Sequence, residues 1–496
     1  VAALVNPVAS PLLAVGSALI DAAPTPAKEF AVRTFGTADK PILITGIALV
    51  LAAFAAGVGL LSRQRPRAAA IAIGLLGLAG AGAAVTRGPA LDAVPSVVAG
   101  ITGVVVLRFL AGRLAAMPAA IDPARPHRSP PDTAEIDTAA IGRARRSFLL
   151  GLGATAVGAA LAGAGATLVS HLRDAGAAVR RGLGLPPAAS PAPALADGVQ
   201  VPGVSPFITP SADFYRVDIS LVTPRIDPAG WSLTIDGLVD RPLTLSYADL
   251  LALPLVERDI TLTCVSNEVG GPYVSTGRWL GVPFAELIAR AGVQPGVDQV
   301  FSYSLDSGYT CSTPFRAVSD GRDAMVAVGL NGEPLPDERG YPARMIVPGL
   351  FGFVSATKWL SRIEFTSYAR RTAYWTRRGW ATDAPVLTQS RIEVPRSLGT
   401  LTREKPVIAG VAWAQHRGIA KVEIRIDGGE WQPAVLAADG GIDLWRQWSF
   451  RYTGPAGLHS AEVRATDLAG NIQPGDRTRV FPDGARGWHQ IQFTAE

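Results

Sequence analysis

The stretch Thr261-Leu262-Thr263-Cys264-Val265-Ser266-Asn267-Glu268-Val269-Gly270-Gly271 decides how the rest of the chain is read, and it holds one of only 2 cysteines in 496 residues. Just before it, Val256, Ile260, Leu262 and Cys264 fall on one side of a period-2 alternation that Arg258 interrupts. Glu257, Asp259, Thr261 and Thr263 fall on the other side. The pattern predicts a half-buried strand whose inward face ends in a thiol. Asn267 and Gly270-Gly271 then break the strand and let the backbone approach something closely. A thiol in that setting suits a soft metal or a buried cofactor. It equally suits a small core residue, because free cysteine is among the most buried residue types.

Composition bounds the alternatives. The length allows two or three domains. Hydrophobic residues make up 48% of the chain and the mean hydropathy is +0.25, which points to membrane spans. Lys+Arg number 46 against 41 Asp+Glu, and the excess clusters beside apolar segments, as membrane topology requires and nucleic-acid binding does not. Two cysteines exclude a disulfide scaffold and leave a Cys264–Cys311 bridge open. The histidines, at 127, 171, 416, 459 and 489, avoid the first four apolar stretches, which argues against a bis-histidine haem in the membrane.

Residues 42–62, 68–86 and 147–172 approach or exceed the roughly 20 apolar residues a spanning helix needs. Residues 93–107 are shorter, with Arg108 and Arg113 placed to snorkel. Residues 1–20, interrupted by Pro7 and Pro11, read as the latter part of an earlier span. Arg63, Arg65 and Arg67 mark one cytoplasmic loop, and Arg108 to Arg146 mark another. Everything after His171 is then expected outside a bacterial cell membrane, on a multi-pass anchor. Arg145-Arg146-Ser147-Phe148-Leu149-Leu150 before an Ala/Gly-rich run fits a twin-arginine export signal and equally a plain anchor. Residues 173–205 read as an Ala/Pro/Gly-rich linker.

Beyond residue 205 the pattern changes, and all 10 tryptophans lie past residue 230. Trp231, Leu233 and Ile235 alternate as a strand, Ser246 and Asp249 form a capping pair, and Phe284, Leu287, Ile288 and Ala291 make an amphipathic helix stopped by Gly292. Strands and short helices alternate without a βαβ period, predicting α+β. Residues 261–271, Arg278-Trp279-Leu280-Gly281-Val282-Pro283, Asn331-Gly332-Glu333-Pro334-Leu335-Pro336, Gly340-Tyr341-Pro342-Ala343-Arg344, Val347-Pro348-Gly349 and Lys358-Trp359-Leu360 resemble, in order, the molybdopterin domain of the sulfite oxidase family. The resemblance implies a molybdenum–molybdopterin cofactor with Cys264 as its protein ligand. It also implies Tyr309 and Arg216 as catalytic residues, with Tyr215, Asp306, Arg339, Arg344, Ala356, Thr357 and Lys358 gripping the pterin. Arginine and lysine are the expected partners of its phosphate.

This sequence departs from the family pattern in three places. Val269 stands where sulfite oxidases carry an arginine, as in sulfoxide-reducing relatives, and Arg339 and Asp218 replace cofactor histidines. Further on, Val422, Ile424 and Ile426, then Trp448, Phe450 and Tyr452, then Ala461, Val463 and Ala465, alternate in short strands that predict an immunoglobulin-like β-sandwich. That part resembles the family's dimerisation domain and implies a homodimer. The expected organisation is a transmembrane helical bundle (1–172), the linker, a molybdopterin domain (206–370), an interdomain segment (371–404) and the sandwich (405–496). Tyr374 to Trp380, in the interdomain segment, are expected to pack between domains, with lining of the substrate entrance as the alternative. No C-x-x-C-H haem motif is present, so electrons are expected to pass to a separate carrier, a c-type cytochrome or a quinone-linked protein. The expected chemistry is oxygen-atom transfer to a small oxyanion such as sulfite. Reduction of sulfoxides or N-oxides is the first alternative, and a non-catalytic surface binding protein the second.

Overall fold

The computed structural model describes residues 1–115 apart from short breaks at 6–8, 25–26, 28–29, 32–33, 36–38 and 87–89, then 146–168 apart from 148 and 166, and 184–496 apart from 307. Most of the second predicted cytoplasmic loop, and Arg145 of the twin-arginine pair, lie outside the described residues. The chain forms two compact units, one essentially residues 1–176 and the other essentially 177–496.

In the first unit, α1 (Pro11–Ala22) precedes α2 (Asp39–Gln64), α3 (Pro66–Val85) and α4 (Val94–Ala115). Among the described residues, three helices are long and apolar enough to cross a membrane, covering Lys40–Gln64, Pro66–Val85 and Ala90–Arg113. The third runs past the predicted end at residue 107, because an arginine ends a hydropathy window without breaking the i to i−4 hydrogen bonds. Within the predicted span at 147–172, the described residues include an apolar helix at Leu149–Gly165. Helices α3 and α4 meet through glycine: a Cβ on Gly77 would stand 2.9 Å from the Gly100 Cα, the close approach that small residues permit.

The second unit is β-rich. One sheet has the order β2-β1-β10-β5-β6, built from β1 (Ser232–Gly237), β2 (Leu243–Ser246), β5 (Gln299–Ser304), β6 (Thr310–Pro314) and β10 (Leu360–Thr366). Another joins β3 (Val256–Thr263), β4 (Val274–Pro283), β7 (Met325–Leu330) and β8 (Glu333–Pro334), with β9 (Arg344–Ile346) on β7. The predicted local signals hold. Ser246 and Asp249 close a capping box at the helix α5 (Tyr247–Leu251), and α6 (Phe284–Ala291) ends on Gly292 with φ of +65°.

Two further sheets follow. The first, β11-β13-β17-β16, contains β11 (Gln389–Val394), β13 (Val407–Trp413), β16 (Val435–Leu436) and β17 (Arg446–Arg451). The second, β12-β19-β18-β14-β15, contains β12 (Gly399–Leu401), β14 (Ile419–Ile426), β15 (Gln432–Pro433), β18 (Gly457–Asp467) and β19 (His489–Ala495). Ile408, Ala412 and Trp448 from one sheet share a core with Val422, Val463 and Phe493 from the other. Strands β11 and β12 fall inside the predicted interdomain segment 371–404, so these sheets begin well before residue 405.

Two expectations need correction, and one open alternative is settled. The face of β3 predicted to be polar and solvated is buried: Thr261 and Thr263 are each only 2% exposed. The C-terminal sheets and their loops cover it, with the Thr261 amide donating to the Asp443 carbonyl at 2.9 Å and the Trp445 amide donating to Thr261 Oγ1 at 2.8 Å. Residues 184–205 are no bare tether. Ser190 bridges Val256 in parallel, and the Val199 amide donates to Gln447 Oε1 at 2.9 Å. Cys264 and Cys311 are both free and buried, so no bridge joins them.

Candidate active site

Cys264 is the first residue after β3, and its amide donates to the Tyr273 carbonyl at 2.9 Å. The turn that follows is tied internally. The Asn267 amide reaches the Cys264 carbonyl at 3.0 Å, and Asn267 Oδ1 accepts the Tyr273 amide at 2.8 Å. These bonds bring the Ser266 amide to 3.4 Å from Cys264 Sγ, a donor aimed at sulfur. Burial pushes the Cys264 thiol up, while the Ser266 bonds and the Lys358 ammonium pull it down. Metal binding would deprotonate such a thiol outright.

The cationic groups converge from elsewhere in the chain. Arg344 opens β9 and is buried, with Nη1 donating to the Arg339 carbonyl at 3.1 Å and Nη2 to the Ala356 carbonyl at 3.3 Å. Its guanidinium lies over the Trp279 ring at 5.1 Å, and its Nε is buried without a hydrogen-bond partner. Lys358 donates to Asp218 at 2.8 Å and to the Glu338 carbonyl at 3.1 Å. Gly340, with φ of +106°, admits this approach: a Cβ there would meet the Lys358 Cα at 3.0 Å. Trp359, directly after Lys358, is held in the left-handed region at φ of +50° by its Nε1 bond to the Asp337 carbonyl at 2.9 Å. That conformation costs a bulky residue on the order of 1 kcal/mol or more, and such strain is typical of functional sites.

Two predicted residues have partners the sequence did not reveal. Arg216 pairs with Asp218 at 2.9 Å, so Asp218 bridges Arg216 and Lys358. Arg339 donates to the carbonyls of Ser211, Ala212 and Tyr215 at 3.3 to 3.5 Å, fixing the loop that carries Tyr215 and Arg216.

The tyrosines form another wall. Tyr215 stacks on Phe214 at 5.5 Å, and burial raises its pKa, with Cys264 adding to the rise and Arg344 opposing it. Tyr309 is pushed well above the usual phenol range, first by burial and then by Cys311 and Cys264, against Arg344. Its hydroxyl donates to the Phe353 carbonyl at 3.4 Å, and its ring lies 5.8 Å from that of Tyr374. Both phenols therefore stay protonated donors at neutral pH. Asp306 is buried, and its carbonyl accepts the Tyr309 amide at 2.9 Å. Thr357 Oγ1 bonds Ser302 Oγ at 2.7 Å, and the Ala356 amide donates to the Gly352 carbonyl at 3.0 Å. Cys311 lines the same loop, its Sγ donating to the Phe353 carbonyl at 3.3 Å. The segment after Tyr374 packs between domains as expected, with Trp380 5.2 Å from Phe481 and 5.7 Å from Phe353.

These contacts bring Cys264, Tyr215, Tyr309, Arg344 and Lys358 into one electrostatic neighbourhood. Burial is the first cause lowering the pKa values of Arg339, of Arg344 to about 10 and of Lys358 to about 8. Three desolvated cations and an unpartnered Nε fit an anionic group such as a pterin phosphate.

Residues 220–375 match the family described as the oxidoreductase molybdopterin binding domain. The chain carries an oxidoreductase molybdopterin binding domain. It is 30% identical to mitochondrial sulfite oxidase of Homo sapiens over 338 residues, covering 58% of this chain and 61% of that protein. It is 28% identical to nitrate reductase [NADH] 1 of Oryza sativa subsp. japonica over 331 residues, covering 54% of this chain and 36% of that one. The chain thus spans 61% and 36% of the length of these two relatives. The sulfane dehydrogenase SoxCD from Paracoccus pantotrophus shares the fold, with a TM-score of 0.50 and 23% identity over 60% of this chain and 87% of that one. The cofactor of such a domain is a molybdenum–molybdopterin, and the matched family is one of oxidoreductases.

The depressed Lys358 has a measurable consequence. Without cofactor, the folded protein releases this proton near pH 8, whereas the unfolded chain holds it to about 10.4. Between those values the unfolded state binds more protons, so this group makes stability rise with pH. Urea midpoints of cofactor-free wild type and Lys358→Met, measured from pH 7 to 10, should show wild type gaining on the variant above pH 8. A constant difference would contradict the shift.

Proposed function

We propose that this protein is a membrane-anchored molybdenum oxidoreductase with its catalytic domain on the extracytoplasmic side, transferring an oxygen atom to a small oxyanion such as sulfite. The observation that carries this reading is the buried Cys264 thiol, with tyrosine donors and desolvated cations gathered around it. Cys264 would hold the metal. Arg344, Lys358 and Arg339, with Asp306, Ala356, Thr357 and Tyr215, would hold the pterin. When bound, the group supplies a two-electron redox centre that exchanges oxygen with the substrate.

Around that centre the chain orients the substrate and controls charge. Arg216 retains partial exposure at 29% of its side chain while Asp218 fixes one edge of its fork. The remaining guanidinium donors suit a bidentate grip on an oxyanion. Tyr309, a neutral phenol, would donate a hydrogen bond to an oxygen of the substrate. Overall, sulfite and water become sulfate, two protons leave to solvent, and two electrons pass to a separate carrier, for which a c-type cytochrome or a quinone-linked protein is suited.

We assign the two C-terminal sheets to an immunoglobulin-like domain that joins two copies of the chain. The helices of the first unit would anchor the protein in a cell membrane, with positive loops inside. Reduction of a sulfoxide or N-oxide is the second reading, favoured by the uncharged Val269. Full-length protein with verified molybdenum separates the two. Sulfite-dependent reduction of a c-type cytochrome is expected, whereas oxidation of a reduced dye by sulfoxides, without sulfite turnover, would establish the reverse chemistry.

A further inference from the structure

Five hydrogen bonds and one packing contact from the C-terminal sheets and their loops fall on the residues flanking Cys264. On the incoming side, Gln415 Nε2 donates to Thr263 Oγ1 at 2.8 Å and to the Thr261 carbonyl at 3.2 Å. The Asp443 carbonyl and the Trp445 amide hold the Thr261 backbone and hydroxyl as described above. On the outgoing side, Arg391 Nη1 donates to the Gly271 carbonyl at 2.6 Å. The His489 ring occupies the space a side chain at Gly270 would need, where φ is +77°. His489 is fixed in turn, because its Nδ1 accepts the Ile392 amide at 3.0 Å. Arg391 is also ion-paired to Glu393, which accepts the Ser205 amide at 2.7 Å.

We infer that Gln415, Arg391 and His489 are positioning residues for the Cys264 loop, so the C-terminal sheets set where the thiol and the Ser266 amide sit. The geometry favours this over general interdomain adhesion. Both arms of one short loop are gripped, at Thr261 and Thr263 before the cysteine and at Gly270 and Gly271 after it. The grips are hydrogen bonds to the Thr261 and Gly271 backbone and to the Thr261 and Thr263 hydroxyls, with the His489 ring packed against Gly270. A loop held at both ends keeps the Ser266 donor at sulfur, and sub-ångström placement of a ligand loop governs how a bound metal reacts.

The inference rests on Cys264 as the metal ligand, and its test is chosen to fail separately from that reading. In full-length enzyme, hydrogen exchange is followed by mass spectrometry in peptides covering 264–273, with peptides covering 309–314 as internal reference. Arg391→Met and Gln415→Met should each speed exchange in 264–273 about tenfold, as expected when one hydrogen bond no longer opposes local opening, and leave the reference unchanged. Turnover should fall with little change in KM, and Arg391→Lys, which keeps a donor, should recover most of both. Unchanged exchange in 264–273 would overturn the inference. So would faster exchange spread evenly over both domains, which is what a merely structural role predicts. The exchange readout stands whether or not Cys264 binds metal; that question is answered by Cys264→Ser.

Discussion

Cys264→Ser is expected to lower turnover by at least about 10²-fold while the pterin stays bound. Changing groups that merely support a metal ligand already costs about 10- to 100-fold, and here the ligand itself changes. Serine offers a harder, far less acidic donor, and the buried setting that already raises the thiol pKa would disfavour an alkoxide still more. The residues proposed to hold the pterin lie on other segments and remain intact, so pterin fluorescence after denaturation should match wild type. Wild-type turnover in the variant would return Cys264 to the role of a small core residue.

Arg344→Met is expected to act in the opposite order, losing the cofactor first and activity as a result. The side chain is buried, carries an unpartnered Nε and is desolvated enough to depress its pKa to about 10. A charge-assisted hydrogen bond there contributes about 1.5–3 kcal/mol, so molybdenum and pterin occupancy at limiting cofactor should fall about 10- to 100-fold. Methionine can keep the contact with the Trp279 ring and removes a buried charge, so cofactor-free stability should change little. Metal analysis and a urea titration on the same preparation check both halves. Full occupancy in the variant would show that Arg344 is structural.

Short-range patterns carried much of this architecture. The capping box at Ser246, the apolar stripe of α6 and the alternation in β14 and β18 depend on neighbours a few residues away, and they were legible for that reason. The polar side of β3 was not. Asp259, Thr261 and Thr263 look solvated in sequence, yet their partners lie more than 150 residues further on for the two threonines, and no local periodicity encodes such pairing. Asp218 was visible as a departure from the family pattern, but its bridging of Arg216 and Lys358 required the fold. Gln415, Arg391 and His489 gave no signal at all, since each is an ordinary strand or loop residue until the sheets assemble.

The double burial of β3 also bears on how such enzymes can be recombined. A chimaera that grafts residues 220–375 onto a foreign C-terminal half would strip Thr261 of its Asp443 and Trp445 partners and expose a polar strand edge beside the thiol. The natural unit of exchange is therefore both sets of sheets with the 184–205 strap that crosses them, and a family tree built on either half should follow the other.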